Sequence, residues 1–99
     1  MKGKLVRDKI PDIIMNDGKV PTTIILIDDS EYNSALIEKL YEEVQEFNEA
    51  RSAEELADIL EVVYALGNFL GCTEFDLNTI RIKKRIERGG FEKKVFLFL

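Results

Sequence analysis

Two amphipathic helical segments that meet at about residue 51 constrain the fold of this chain most. The first spans about residues 30–50 and has apolar residues at helical spacing: Leu36, Leu40, Val44 and Phe47. A capping box, Ser52-Ala53-Glu54-Glu55, begins the second. Its apolar residues are Leu56, Ile59, Leu60, Val63, Leu66 and Leu70. Because the link is so short, we expect the two helices to pack antiparallel with these apolar stripes facing each other.

The rest of the chain predicts two more helices and two short strands. Residues 8–16 form a short helix with Pro11 in its first turn, where the missing N–H is tolerated. Thr73 caps a third long helix that ends near Arg88, before two glycines. Apolar and β-branched residues favour strands at about 22–27 and 94–98. We therefore expect one domain over residues 1–99, mainly α: an antiparallel helical bundle with a small β element.

The absence of histidine excludes several kinds of active site. A Ser-His-Asp triad, an HExxH zinc site and a di-iron bundle built on Glu-x-x-His all need histidine. The single cysteine, Cys72, excludes an internal disulfide and fits a reducing compartment. The chain has 19 acidic and 14 basic residues and a net charge of −5. Acid–base or metal chemistry must therefore use carboxylates first.

Two acidic motifs lie on the two helices of the predicted hairpin. Glu43 and Glu46 are three residues apart on the first helix, and Glu55 and Asp58 are three apart on the second. Each pair shares a helix face, displaced from the apolar stripe by about 60° to 130° in the same rotational sense. In an antiparallel hairpin that meets near Arg51, Glu46 falls beside Glu55 and Glu43 beside Asp58. The sequence therefore predicts that four carboxylates converge on one patch.

Such a patch is unfavourable unless protons or a cation neutralise it. Oxygen ligands select hard cations, so we expect Mg²⁺, with Mn²⁺ as a second possibility. The metal ligands would be Glu43, Glu46, Glu55 and Asp58. A solvated acidic helix face is the alternative, because glutamate is common on exposed helices.

The acidic motifs also resemble a known family. Glu42-Glu43-x-x-Glu46 followed by Glu55-x-x-Asp58 is similar to the signature of the MazG-type all-α NTP pyrophosphatases. Two further stretches resemble a subfamily of short phosphoribosyl-ATP pyrophosphohydrolase-like proteins: Lys4-Leu5-Val6-Arg7-Asp8-Lys9-Ile10-Pro11 and Lys83-Lys84-x-x-x-x-Arg88-Gly89-Gly90-Phe91. Only eight residues separate Glu46 from Glu55, fewer than is usual between the two acidic motifs.

The resemblance implies Mg²⁺-dependent hydrolysis of a nucleoside triphosphate, or a phosphoribosyl-ATP-like nucleotide, to the monophosphate and pyrophosphate. It implies the same four metal ligands and a homodimer or homotetramer. In the corresponding mechanism Glu42 or Glu46 activates the attacking water. The basic residues that would bind phosphate or nucleotide are Lys83, Lys84, Arg88, Arg7 and Lys4.

Other functions compete with this hypothesis. The chain could be a non-catalytic, oligomeric module that binds a nucleotide, or a helical module for protein interaction. RNA binding is disfavoured, because a single Arg88-Gly89-Gly90 is not a basic tract and the chain is acidic overall. No stretch approaches the ~18 apolar residues of a membrane span, and the first residues lack the apolar region of a signal peptide. We therefore expect a cytoplasmic protein without nucleic-acid or membrane partners.

Overall fold

The computed structural model describes residues 3–99 and confirms a mainly α protein. Its helices are α1 (Ile10–Asn16), α2 (Asp29–Ala50), α3 (Ala53–Phe69) and α4 (Glu74–Arg88). The side chains of Asp28, Ser52 and Thr73 cap the three long helices, each accepting a hydrogen bond from the backbone N–H three residues on. These caps satisfy N–H groups that have no partner within the helix, so the helix starts are encoded locally.

The connection between α2 and α3 is as tight as predicted. Arg51 ends α2 in the left-handed region, with φ 55° and ψ 35°, a conformation that few residues other than glycine adopt. Its N–H donates to the Phe47 carbonyl, and its guanidinium donates to the Asn48 carbonyl and side chain. Ser52 then begins α3 directly. The chain therefore reverses within two residues, which holds Glu46 and Glu55 at the same height.

The face with which α2 packs differs from the predicted one. Leu36 and Glu43 are its buried residues, with 3% and 6% of their surfaces exposed. Val44, predicted to be in the core, is 48% exposed, and Leu56 and Leu60 of α3 are 47% and 49% exposed. The predicted core stripe is therefore confirmed in part. Leu36 is buried and Leu40, Phe47, Ile59 and Val63 are half-buried, but the packed face of α2 is rotated toward Glu43. Of the two predicted stripes, Val44, Leu56, Leu60 and Leu70 are the residues that stay exposed.

Helix α4 packs on α3 through a small area. The chain turns by 105° between the two helices. Gly71 makes this turn with φ +85°, and the Cys72 N–H donates to the Gly67 carbonyl. A Cβ on buried Gly67 would lie 3.4 Å from both the Cys72 carbonyl oxygen and the Leu77 side chain, so this glycine permits the close approach.

The predicted β element is absent from residues 3–99, and this part of the prediction was wrong. Residues 22–27 and 94–98 both lie outside regular structure. Ile24, Ile25 and Ile27 are at least 80% exposed, and so are Phe96 and Phe98. Strand propensity needs a partner strand and a packed face, and the single chain supplies neither to these segments.

The described part of the chain is extended and leaves much apolar surface exposed. Its radius of gyration is 17.1 Å, against about 13 Å for a compact domain of 100 residues. No single helix within residues 3–99 is long and apolar enough to cross a membrane, although the bent pair of α3 and α4 together meets the length and composition criteria. The hairpin of α2 and α3 is the part that positions the candidate site.

Candidate metal centre

Four carboxylates meet between α2 and α3. Glu43 and Glu46 come from α2, and Glu55 and Asp58 come from α3. One oxygen from each residue can be chosen so that all four lie within 4.8 Å of one another. The predicted convergence is therefore observed, and the short link between the motifs does not prevent it.

Glu43 lies at the centre of the packed face rather than on its flank. Its side chain is 8% exposed, and its Oε1 lies 3.2 Å from the Lys39 ammonium. Its Oε2 is buried and accepts no hydrogen bond from the described residues. A buried carboxylate oxygen without a partner costs stability. This oxygen therefore distinguishes the cluster from an ordinary solvated acidic helix face.

The charge at Glu46 shows the same lack of compensation. Repulsion from the Glu43 carboxylate is the main cause that raises the pKa of Glu46, and the charges of Glu42 and Glu55 add to it. A divalent cation would reverse this effect, since an opposite charge favours the ionised form.

Lysine side chains neutralise the neighbouring Glu42 instead. Lys4 approaches Glu42 Oε1 at 3.2 Å and Lys39 approaches Oε2 at 3.3 Å. Burial works against the charged form of Glu42, but the hydrogen bonds from Lys4 and Lys39 outweigh it and lower the pKa. Burial also opposes the charged form of Lys39, and its bonds to Glu43 and Glu42 raise its pKa. The charge of Glu42 is therefore compensated by lysines, unlike that of Glu46.

Lys39 is a site residue that the sequence-based predictions did not include. It lies three residues before Glu42 and four before Glu43, a spacing that places all three on one helix face. The same rule that paired the carboxylates could therefore have found it.

The segment before α1 lies against the acidic cluster. Arg7 Nη2 donates to Asp58 Oδ1 at 2.7 Å, across 51 residues of sequence. Leu5, Val6 and Arg7 also help to line a cavity of about 470 Å³, together with Glu43 and Asp58. Tyr32, Leu36, Val62 and Ala65 supply apolar surface to the same cavity. Its volume falls within the range of small-molecule sites, and two of the four cluster residues, Glu43 and Asp58, belong to its polar lining.

The five basic residues predicted to bind phosphate lie in two places. Lys4 and Arg7 reach the carboxylates of α2 and α3, as described above. Lys83, Lys84 and Arg88 lie on the exposed surface of α4 and are not among the residues that line this cavity. Their contact with a phosphate therefore stays a prediction.

The donor set fits a hard divalent cation. All four ligand positions are carboxylates, without nitrogen or sulfur, as Mg²⁺ and Mn²⁺ prefer. Three of the residues are partly exposed while Glu43 is buried, so one side of the cluster is anchored and the other stays open to water or phosphate oxygens.

No family model, curated protein or solved structure matches the chain.

Proposed function

We propose that this protein is a divalent-cation-dependent nucleotide pyrophosphohydrolase. The observation that carries the proposal is the unpartnered, buried Oε2 of Glu43 within a cluster of four carboxylates. Glu43, Glu46, Glu55 and Asp58 would hold Mg²⁺ or Mn²⁺. The reaction splits the bond between the α- and β-phosphates of a nucleoside triphosphate, or of a phosphoribosyl-ATP-like nucleotide, and releases pyrophosphate.

The cavity beside the cluster supports a nucleotide as substrate. Its apolar lining offers a place for a base and sugar, with Tyr32 as the aromatic group. Its polar end would place the phosphates at the carboxylates, where a bound divalent cation supplies charge neutralisation and polarises the phosphorus. Arg7 lines this cavity, and Lys4, three residues before it, pairs with Glu42, so we assign these two bases, rather than those of α4, to the outer phosphates.

We assign the activation of the attacking water to the carboxylate of Glu46. Lysines pair with Glu42 and lower its pKa, so Glu42 is a weaker proton acceptor than Glu46. Glu46 has no ion pair with the basic residues in the described part of the chain. It would orient the water and accept its proton as the oxygen attacks phosphorus.

A second copy of the chain would complete the bundle of the all-α NTP pyrophosphatase type. Both helices leave apolar residues exposed at helical spacing: Ile37, Tyr41 and Val44 on α2, and Leu56 and Leu60 on α3. An exposed apolar face of this kind is typical of an interface. We therefore propose a homodimer or homotetramer, acting in the cytoplasm without nucleic acid or membrane.

Pyrophosphate release tests the proposal. The purified chain with Mg²⁺ is expected to release pyrophosphate from at least one member of a broad panel of nucleoside triphosphates and phosphoribosyl nucleotides. E43Q is expected to abolish the release, while E49Q retains it. Glu49 is the matched control because it lies on the same helix, is exposed and, among residues 3–99, has only Gln45 as a side-chain hydrogen-bond donor.

Two results would contradict the proposal. One is pyrophosphate release that is unchanged in E43Q. The other is binding of nucleotides from the panel without turnover at any metal concentration, which would indicate the non-catalytic nucleotide-binding module instead.

A further inference from the structure

The ion pair between Arg7 and Asp58 occupies a carboxylate that the proposed metal ion needs. Asp58 is one of the four members of the cluster, and its Oδ1 already accepts from the Arg7 guanidinium at 2.7 Å. An arginine and a divalent cation at one carboxylate repel each other, and a hydrogen-bonded oxygen donates less readily to a metal. Arg7 occupies only Oδ1 of Asp58, but its positive charge beside the cluster opposes the binding of a divalent cation while Arg7 keeps its present position.

The segment that carries Arg7 is lightly attached to the hairpin. Within residues 3–99, no backbone hydrogen bond joins residues 3–9 to α2 or α3. Two ion pairs, Lys4 with Glu42 and Arg7 with Asp58, hold the segment, together with the half-buried side chains of Leu5 and Val6. Few buried contacts and no backbone bonds are the features of a segment that opens locally.

The same segment is one wall of the cavity. Residues from Leu5 to Ile10 line it on one side, and α2 and α3 line it on the other. A movement of Arg7 away from Asp58 would therefore widen the space beside the carboxylates. It would also free a guanidinium at the end of the cavity where phosphate is expected.

From these contacts we infer that Arg7 is an internal competitor of the metal ion and couples metal entry to opening of the cavity. The guanidinium neutralises Asp58 until a divalent cation enters; the cation then replaces it, and residues 3–9 move off the hairpin. Arg7 is a positioning residue in this exchange. The inference rests on the proposed metal centre and adds to it an order of events, with the cation before the nucleotide.

Manganese binding, measured by titration calorimetry on the full chain without nucleotide, tests whether the cation replaces Arg7. R7Q removes the competitor, and K4Q is the matched control. Lys4 lies on the same segment and carries the same charge, but its partner Glu42 lies outside the cluster. We expect R7Q to bind Mn²⁺ roughly two- to fivefold more tightly than K4Q, the range that an exposed charge pair supports.

Amide hydrogen exchange by mass spectrometry supplies the second readout. In the wild type, saturating Mn²⁺ is expected to speed exchange in residues 5–10 and to leave α4 unchanged. In R7Q the same residues are expected to exchange fast with or without Mn²⁺.

The outcomes separate the exchange from the metal centre. Equal or weaker Mn²⁺ binding by R7Q relative to K4Q would refute the replacement of Arg7 by the cation. Slower or unchanged amide hydrogen exchange of residues 5–10 in the wild type on addition of Mn²⁺ would refute it as well. No binding of Mn²⁺ by the wild type or by R7Q would refute the metal centre itself.

Discussion

The α2–α3 hairpin and α4 are both rich in charge, but the structure uses their charges differently. In the hairpin, Glu43 lies inside the packed face and is nearly as buried as Leu36, with three partly exposed carboxylates beside it. No residue of α4 is buried, and its bases lie in solvent. Its basic last turn, Arg85 and Arg88, complements the helix dipole. Charge in a sequence therefore indicates a site only where packing brings like charges together.

Loss of a cluster carboxylate is expected to lower activity far more than loss of an exposed carboxylate on the same helix. D58N is expected to lower pyrophosphate release by about three orders of magnitude, because it removes a ligand from a site that stabilises developing phosphate charge. E54Q, on the exposed surface of the same helix, is expected to change the rate less than about twofold. Initial rates at saturating Mg²⁺ measure both. A similar loss in both variants would show that the acidic surface as a whole, rather than the cluster, supports activity.

Truncation of the hairpin core should cost the most stability. L36A removes a side chain that is 3% exposed and is expected to lower the free energy of unfolding by about 2–5 kcal/mol. I86A makes a comparable truncation on α4, where Ile86 is 81% exposed, and is expected to cost less than about 0.5 kcal/mol in the monomer. Urea denaturation at low protein concentration compares them. Equal losses would mean that α4 is covered in solution.

The two groups of basic residues can be compared through KM for the nucleotide. The double variant K4Q/R7Q is expected to raise KM about tenfold, since Arg7 lines the cavity, Lys4 lies on the same segment, and charge-assisted hydrogen bonds to phosphate are strong. The triple variant K83Q/K84Q/R88Q is expected to change KM less than about twofold. The reverse order of effects would restore α4 as the phosphate-binding element, supplied within the chain or by a second copy.

The N-cap of α4 should give the smallest effect. Thr73 and Asp76 form a reciprocal capping box, with both hydrogen bonds at 3.1 Å. T73A is expected to lower the free energy of unfolding by about 1 kcal/mol, while KM and kcat stay unchanged because α4 does not border the cavity. The same denaturation series measures the stability, and a change in kcat would show that the position of α4 matters to the site.

Much of the hairpin could be predicted from the sequence, because its signals are local. Capping residues at Ser52 and Thr73, helical spacing and a short link fix helix ends and relative height, and these place Glu46 beside Glu55. The packed face could not be predicted in the same way. Val44 and Leu60 repeat with helical spacing whether they meet the core or a second copy, so periodicity alone does not distinguish the two.

The ion pairs of Lys4 and Arg7 could not be predicted from local sequence signals. Lys4 with Glu42 and Arg7 with Asp58 are separated by 38 and 51 residues, and no pattern in the sequence links them. The two predicted strands failed for a related physical reason, since a strand depends on a partner that the sequence of the strand does not specify.

Thermal unfolding of the wild type and E43Q tests the claim that the four carboxylates bind a divalent cation. Mg²⁺ at about one hundred times its Kd should stabilise the wild type by about 2.7 kcal/mol, which raises Tm by roughly 10 °C or more for a domain of this size. Without metal, E43Q should unfold at or above the wild-type temperature, because it relieves the repulsion among the carboxylates, and Mg²⁺ should leave its Tm unchanged. A wild-type Tm that neither Mg²⁺ nor Mn²⁺ shifts, or an equal shift in E43Q, would contradict the claim.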